Sequence, residues 1–220
     1  MYHNGMKEPK VSTGGGARSL ARFIVFEGLD GAGTTTQSVL LDDRLKREGR
    51  RSWLTSEPTT GPIGILCRRV LSGEIPADPD TIAHLFATDR SAHLNGADGI
   101  RQHLDDGYIV LCDRYKYSSL VYQGAETDVD FVRALNARFA VPALVVFLDL
   151  SPEAADARLA ARPTREIYER IEFQHAVRAN YLREMEIAGR ETRVIMLDGT
   201  EEQHALAEKV WEAVADASIL

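Results

Sequence analysis

A short apolar run, Phe23-Ile24-Val25-Phe26, leads into Glu27-Gly28-Leu29-Asp30-Gly31-Ala32-Gly33-Thr34-Thr35-Thr36-Gln37, and a helical pattern follows. Gly28 and Gly33 hold the glycine places of a phosphate-binding loop, and Thr35 holds its hydroxyl place. Thr34 stands where that motif has lysine. A loop that wraps phosphate aims successive backbone N–H groups inward, and glycines permit the close approach. A helix starting near Gly33 adds unpaired N–H groups and the positive end of its dipole. Thr35 can offer a hydroxyl to Mg²⁺, which binds through few protein oxygens. The chemistry is that of nucleotide phosphates, with the usual cation removed.

Asp113-Arg114-Tyr115 is the second landmark, directly after the apolar run Tyr108-Ile109-Val110-Leu111-Cys112. An aspartate there can hold Mg²⁺ or orient an attacking phosphate, and the arginine fork can grip phosphate oxygens. Farther on, helical spacing puts Ser119, Tyr122 and Gln123 on one face, where they suit a base edge or a sugar. Arg158 and Arg162 are four apart, so one helix face carries both, and Pro163 interrupts that helix before Arg165. An arginine segment of this kind can close over a nucleotide and exclude water.

These residues need elements to position them. Strands are predicted at 22–26, 52–55, 108–112, 143–150 and 192–197. Helices are predicted at 34–48, 62–73, 80–104, 115–123, 128–139, 152–161, 166–188 and 201–216. The strand runs at 108–112 and 144–148 are almost continuously apolar, as strands covered on both faces are. Alternation of strand and helix implies an α/β, three-layer fold with a five-stranded parallel sheet and helices on both faces. Ligands of such sheets sit at the carboxyl ends of strands. Gly28 to Thr35, Glu57 and Asp113 each lie just past a strand and are expected to converge.

A chain of 220 residues with 44% hydrophobic content fits one domain with a substantial core. The formal net charge of −7 argues against a surface that coats nucleic acid. No stretch approaches the roughly 20 apolar residues that span a membrane. Residues 1–20, with Gly14-Gly15-Gly16 and no apolar core, read as a flexible tail before a single domain over 21–220. Cys67 and Cys112 fit no metal spacing and read as buried free thiols in a reducing cytoplasm.

With these motifs in place, the chain resembles the thymidylate kinases from about Ala21 to its end. The resemblance is carried by Phe26 to Gly33, by Leu85-Phe86-Ala87-Thr88-Asp89-Arg90, by Asp113-Arg114-Tyr115 with Ser118-Ser119 and Tyr122-Gln123-Gly124, and by Leu148-Asp149-Leu150-Ser151-Pro152-Glu153. It implies the P-loop nucleoside monophosphate kinase fold, transfer of phosphate from ATP to dTMP with Mg²⁺, and a homodimer. Phe86 would stack on thymine, Arg90 would bond the base, and Ser119 would sit near the base edge. Tyr122 would lie against the sugar, Gln123 would close the pocket, and Asp30 would contact the 3′-hydroxyl. Arg114 would bind the acceptor phosphate, and Asp113 would manage the metal or attacking oxygen. Gly28, Leu29, Asp30, Gly31, Ala32, Gly33, Thr34 and Thr35 would cradle ATP, with Thr35 and Asp113 as the metal residues. A lid at about 158–170 would supply Arg162 and Arg165 as catalytic residues.

Two positions depart from the family pattern. Thr34 replaces the lysine, and Ser56 stands before Glu57-Pro58 where relatives carry arginine; Arg69 is a candidate substitute for that phosphate contact. Three readings stay open at this stage: an active dTMP kinase, a kinase for another nucleotide or nucleoside, and a nucleotide-binding protein whose P-loop has lost catalysis.

Overall fold

The computed structural model describes residues 19–160, 168 and 170–220. Five strands form one sheet: β1 (Ser19–Gly28), β2 (Ser52–Ser56), β3 (Ile109–Asp113), β4 (Val141–Asp149) and β5 (Arg193–Asp198). Their order is β2-β3-β1-β4-β5, and every pairing is parallel. In β1, every residue from Phe23 to Gly28 is buried. Successive strand side chains point to opposite faces, so both faces of the central strand are covered. The order reverses around β1, which opens a crevice at the carboxyl ends of β1 and β3.

The connecting helices are α1 (Thr34–Arg47), α2 (Pro62–Leu71), α3 (Pro79–Asn95), α4 (Ile100–Asp105), α5 (Lys116–Tyr122), α6 (Val129–Asn136), α7 (Pro152–Leu159), α8 (Ile171–Ala188) and α9 (Gln203–Asp216). Asp78, Asp128 and Ser151 cap α3, α6 and α7 through side-chain bonds to first-turn N–H groups. The single helix expected over 80–104 is two helices. Gly96 leaves the helical region at φ −69°, ψ 168°, and Asp98 follows at φ 59°. A Cβ at Gly96 would lie 2.5 Å from the Ala92 carbonyl oxygen, so this sharp exit requires glycine.

β1 begins at Ser19, two residues inside the segment read as a tail; the rest of that segment lies outside the described residues. Cys67 and Cys112 are both buried and free, and burial pushes the Cys67 thiol up to about 12. No helix among the described residues is long and apolar enough to cross a membrane.

Candidate active site

The loop from Gly28 to Gly33 turns tightly at the end of β1. Gly28 has no room for a side chain, since a Cβ would lie 2.8 Å from the Leu148 carbonyl oxygen on β4. Gly31 and Gly33 take left-handed conformations at φ 85° and 102°. Gly33 is the N-cap of α1 and no side chain among the described residues caps that helix, so its first N–H groups are left for a ligand. Leu29 turns into the core at 1% exposure. Thr34 is also buried, and its methyl packs under the loop, 3.3 Å from where a Gly28 Cβ would be.

Two cavities flank this loop. The first, of about 360 Å³, opens between the loop, the end of β3 and helices α3 and α5, and is of ligand size. Asp30, Thr35, Phe86, Arg90, Asp113, Arg114, Tyr122 and Gln123 all line it, as does Glu57. The second, of about 310 Å³, lies across the loop and is lined by Gly31 to Gly33, Thr36, Gln37, Arg158 and the segment after β5. Arg158 reaches over from α7 and donates to the carbonyls of Gly31 at 3.2 Å and Gly199 at 2.8 Å. Arg162 and Arg165, expected in the lid, lie outside the described residues.

Arg114 is the cation at the join. Its backbone is left-handed at φ 69°, costly for a side-chain-bearing residue, and is held by an N–H bond to the Phe26 carbonyl at 2.9 Å. Its guanidinium donates to Asp30 at 2.6 Å and stands 5.4 Å over the Tyr122 ring. Burial pushes the Tyr122 phenol well above its ordinary range, so that residue is a neutral wall. Thr35 donates its hydroxyl to Asp113 Oδ2 at 2.5 Å, and Asp113 Oδ1 is buried without a hydrogen-bond partner among the described residues. An oxygen-only pair with a spare carboxylate oxygen suits a hard divalent cation.

Arg90 is buried to 1% exposure and is largely spent within the protein. Nε donates to Glu57 at 2.8 Å, Nη1 to Asn136 at 2.5 Å, and Nη2 to Ser119 and the Tyr115 carbonyl, each at 3.1 Å. Those bonds use four of the five guanidinium N–H groups, which leaves one for a ligand. Ser119 does not line the cavity; it stands behind Arg90 as an acceptor. Glu57 also accepts from His93 Nδ1 at 3.0 Å. Phe86 is half-buried, packing on the core with one side and lining the cavity with the other.

The proposed substitution of Arg69 for a phosphate contact does not hold. Arg69 points outward and pairs with Glu74 at 2.6 Å. Arg68 lines the cavity instead, tied by its guanidinium to the carbonyls of Pro58 and Thr59. The available signal was helical phase: Arg68 is four residues after Gly64, whose absent side chain lets α2 approach the Thr59 backbone. The segment Gly199 to Gln203, which completes the second cavity, carried no signal of its own in the sequence.

A phosphate loop between two cavities, at the switch point of a parallel sheet ordered 2-3-1-4-5, defines a P-loop nucleoside monophosphate kinase. The family model described as thymidylate kinase matches residues 26–210, and the chain belongs to that family of ATP-dependent phosphotransferases. It is 39% identical over 196 residues to a putative thymidylate kinase of Treponema pallidum (strain Nichols), covering 87% of this chain and 93% of that protein. A putative thymidylate kinase of Aeropyrum pernix is 36% identical over 204 residues, with 88% and 97% covered. A probable thymidylate kinase of Pyrococcus horikoshii is 37% identical over 190 residues, with 83% and 92% covered.

Proposed function

We propose that the protein transfers the terminal phosphoryl group of ATP to the phosphate of dTMP, giving dTDP for dTTP synthesis. The observation that carries this reading is the meeting of two cavities at one phosphate loop, with Arg114 and Asp113 on the acceptor side and Arg158 on the other. In this reading the first cavity takes dTMP and the second takes the nucleoside part of ATP. Phe86 stacks on the base and the remaining N–H of Arg90 meets its edge, with Ser119 fixing Arg90 from behind. Tyr122 lies against the sugar, Gln123 closes the pocket, and Asp30 takes the 3′-hydroxyl. Arg114 and Arg68 grip the acceptor phosphate and aim its oxygen at the donor.

Thr35 and Asp113 would hold Mg²⁺. Bound there, it would neutralise charge on the transferring phosphates. The amide groups at the start of α1 cradle the donor phosphates. In-line transfer asks for positioning and cations rather than covalent help, so a loop without lysine can serve if other cations reach the phosphates. Arg162 and Arg165 are proposed for that task from the sequence. The homodimer rests on family resemblance, and light scattering on the purified chain tests it.

The deciding experiment couples ADP release to NADH oxidation with ATP, Mg²⁺ and a panel of dTMP, UMP, dCMP and thymidine. Preferred turnover of dTMP is expected. Turnover of another acceptor in preference, or ATP binding with no transfer to any of them, would reject the reading.

A further inference from the structure

Glu27 is a wholly buried acid near the end of β1 that lines neither cavity. Four donors converge on it. The backbone N–H groups of Tyr115 and Ser118 reach Oε1 at 2.9 and 3.3 Å, and the hydroxyls of Ser118 and Tyr181 reach Oε2 at 2.6 and 2.9 Å. Each hydroxyl has one proton and two lone pairs. The two hydroxyl oxygens also lie 2.9 Å from each other; while both protons are committed to the carboxylate, the lone pairs of Ser118 Oγ and Tyr181 OH face elsewhere. Arg114 Nη1 lies 3.3 Å from each of them and can only donate. The other side of the guanidinium is held by Asp30.

We infer that Glu27 is a positioning residue for Arg114: by fixing the protons of Ser118 and Tyr181, it turns their lone pairs toward the guanidinium and holds that group at the acceptor cavity. The inference rests on the reading of Arg114 as the grip on the acceptor phosphate. An amide at position 27 would itself donate to one hydroxyl and displace its proton. That proton would then point at Arg114, donor against donor. The backbone of Arg114 is already pinned to Phe26, so the side chain is what would move.

The arrangement also makes the grip sensitive to pH. Burial pushes the Glu27 carboxyl up to about 7, against the opposing effects of Ser118, Arg114, Tyr181 and Tyr115. The other groups facing it are Cys112 on β3, Tyr115 just before α5, Tyr117 and Tyr122 on α5, and Tyr181 on α8. Burial holds that thiol and those phenols neutral, well above the working range. Glu27 is therefore the group of this cluster that changes charge near neutrality. Once protonated, it carries a donor of its own and releases one hydroxyl proton toward Arg114.

Calorimetric titration of the full chain with dTMP, paired with kcat at saturating substrates, tests this from about pH 6 to 9. The parent is expected to bind more weakly as pH falls through about 7. Glu27→Gln at pH 8 should raise the Kd for dTMP about tenfold, the effect of one hydrogen bond to a charged group, and change kcat by less than about threefold. Its Kd profile should keep only the bend near pH 6 that belongs to the nucleotide phosphate. A parental Kd and pH profile in Glu27→Gln, or a fall in kcat alone, would overturn the inference. Tyr181→Phe removes one lone-pair set and leaves Glu27 in place; several-fold weaker binding is expected, and unchanged binding overturns the inference even if Glu27→Gln fails to fold. A parent that binds dTMP but transfers nothing would end the kinase reading, while weaker binding by the variants would still bear out the positioning role. A parent that does not bind dTMP ends both.

Discussion

Arg90 and Glu27 illustrate how a buried charge is tolerated only when its whole surroundings answer it. Arg90 meets Glu57, Asn136, Ser119 and a backbone carbonyl, and Glu57 in turn is bonded by His93. Removing one member strands the others. Arg90→Ala is expected to cost about 3–5 kcal/mol of stability, because the Glu57 carboxylate would stay buried without its cation. Urea unfolding measures that loss, and a variant as stable as the parent would show that the pair is not energetically coupled. Glu27 makes the opposite bargain with pH. Its carboxyl sits at about 7 in the folded protein against 4.5 as its ordinary value. Below pH 4.5 it is protonated in both states, and between the two values the unfolded chain releases the proton first. Its contribution to stability therefore fades as pH rises from 4.5 to 7. At about 1.4 kcal/mol per pH unit the loss amounts to about 3 kcal/mol. Glu27→Gln should lack this slope in unfolding experiments at pH 4.5 and pH 8, and an equal slope in both proteins would place the titration elsewhere.

At the scale of elements, glycines decide how closely helices approach the loops that carry the site. Helix α2 lies so near the turn after β2 that a Cβ on Gly64 would fall 2.0 Å from the Thr59 carbonyl oxygen. That turn is held from the other side by Asp89 of α3, which accepts from the Thr59 N–H at 2.7 Å and its hydroxyl at 2.6 Å. Neither partner can yield cheaply. Gly64→Ala should lower stability by about 1–3 kcal/mol through overpacking. It should also weaken dTMP binding, since Arg68 rides on the same helix and bonds the same turn. Equilibrium unfolding and calorimetry on this one variant check both consequences. A stable variant with normal dTMP affinity would mean that α2 shifts without carrying Arg68 away.

Across the whole molecule, the missing lysine is a problem of where cations come from. Position 34 is buried beneath the loop, so a neutral hydroxyl there is worth at most one bond, about 0.5–1.5 kcal/mol or roughly tenfold in rate. An arginine acting on a transferring phosphoryl group contributes on the order of 10³-fold or more. Thr34→Ala is therefore expected to slow single-turnover transfer far less than Arg162→Ala or Arg165→Ala does. Near-normal rates in both arginine variants would refute that distribution of charge. Arg158 supplies an internal contrast because it lines the second cavity and not the first. Arg158→Ala should raise the KM for ATP and leave the Kd for dTMP unchanged in calorimetry. An equal effect on both substrates would show that the two cavities do not divide them.

The fold was legible because burial on both faces writes strands as unbroken apolar runs, and because the loop glycines and Asp113-Arg114 announce themselves by type and by position after a strand. Local periodicity overran at Gly96, where a close backbone contact with Ala92 ends α3 and the Asn95-Gly96 pair is the stop signal that the apolar pattern overrode. Helix phase on α2 was too short a signal to separate Arg68 from Arg69. The partners of a charge are also invisible in a linear chain. Ser119 reads as a base contact until Arg90 is seen resting on it, and Glu27 reads as a residue beside the loop until Tyr181 arrives from α8. The sequence by itself determined the sheet, the phosphate loop and the list of chemical groups, since these depend on local backbone chemistry and on which residues avoid water. Only the tertiary structure decided which donor meets which acceptor, because that depends on distances between elements far apart in the chain.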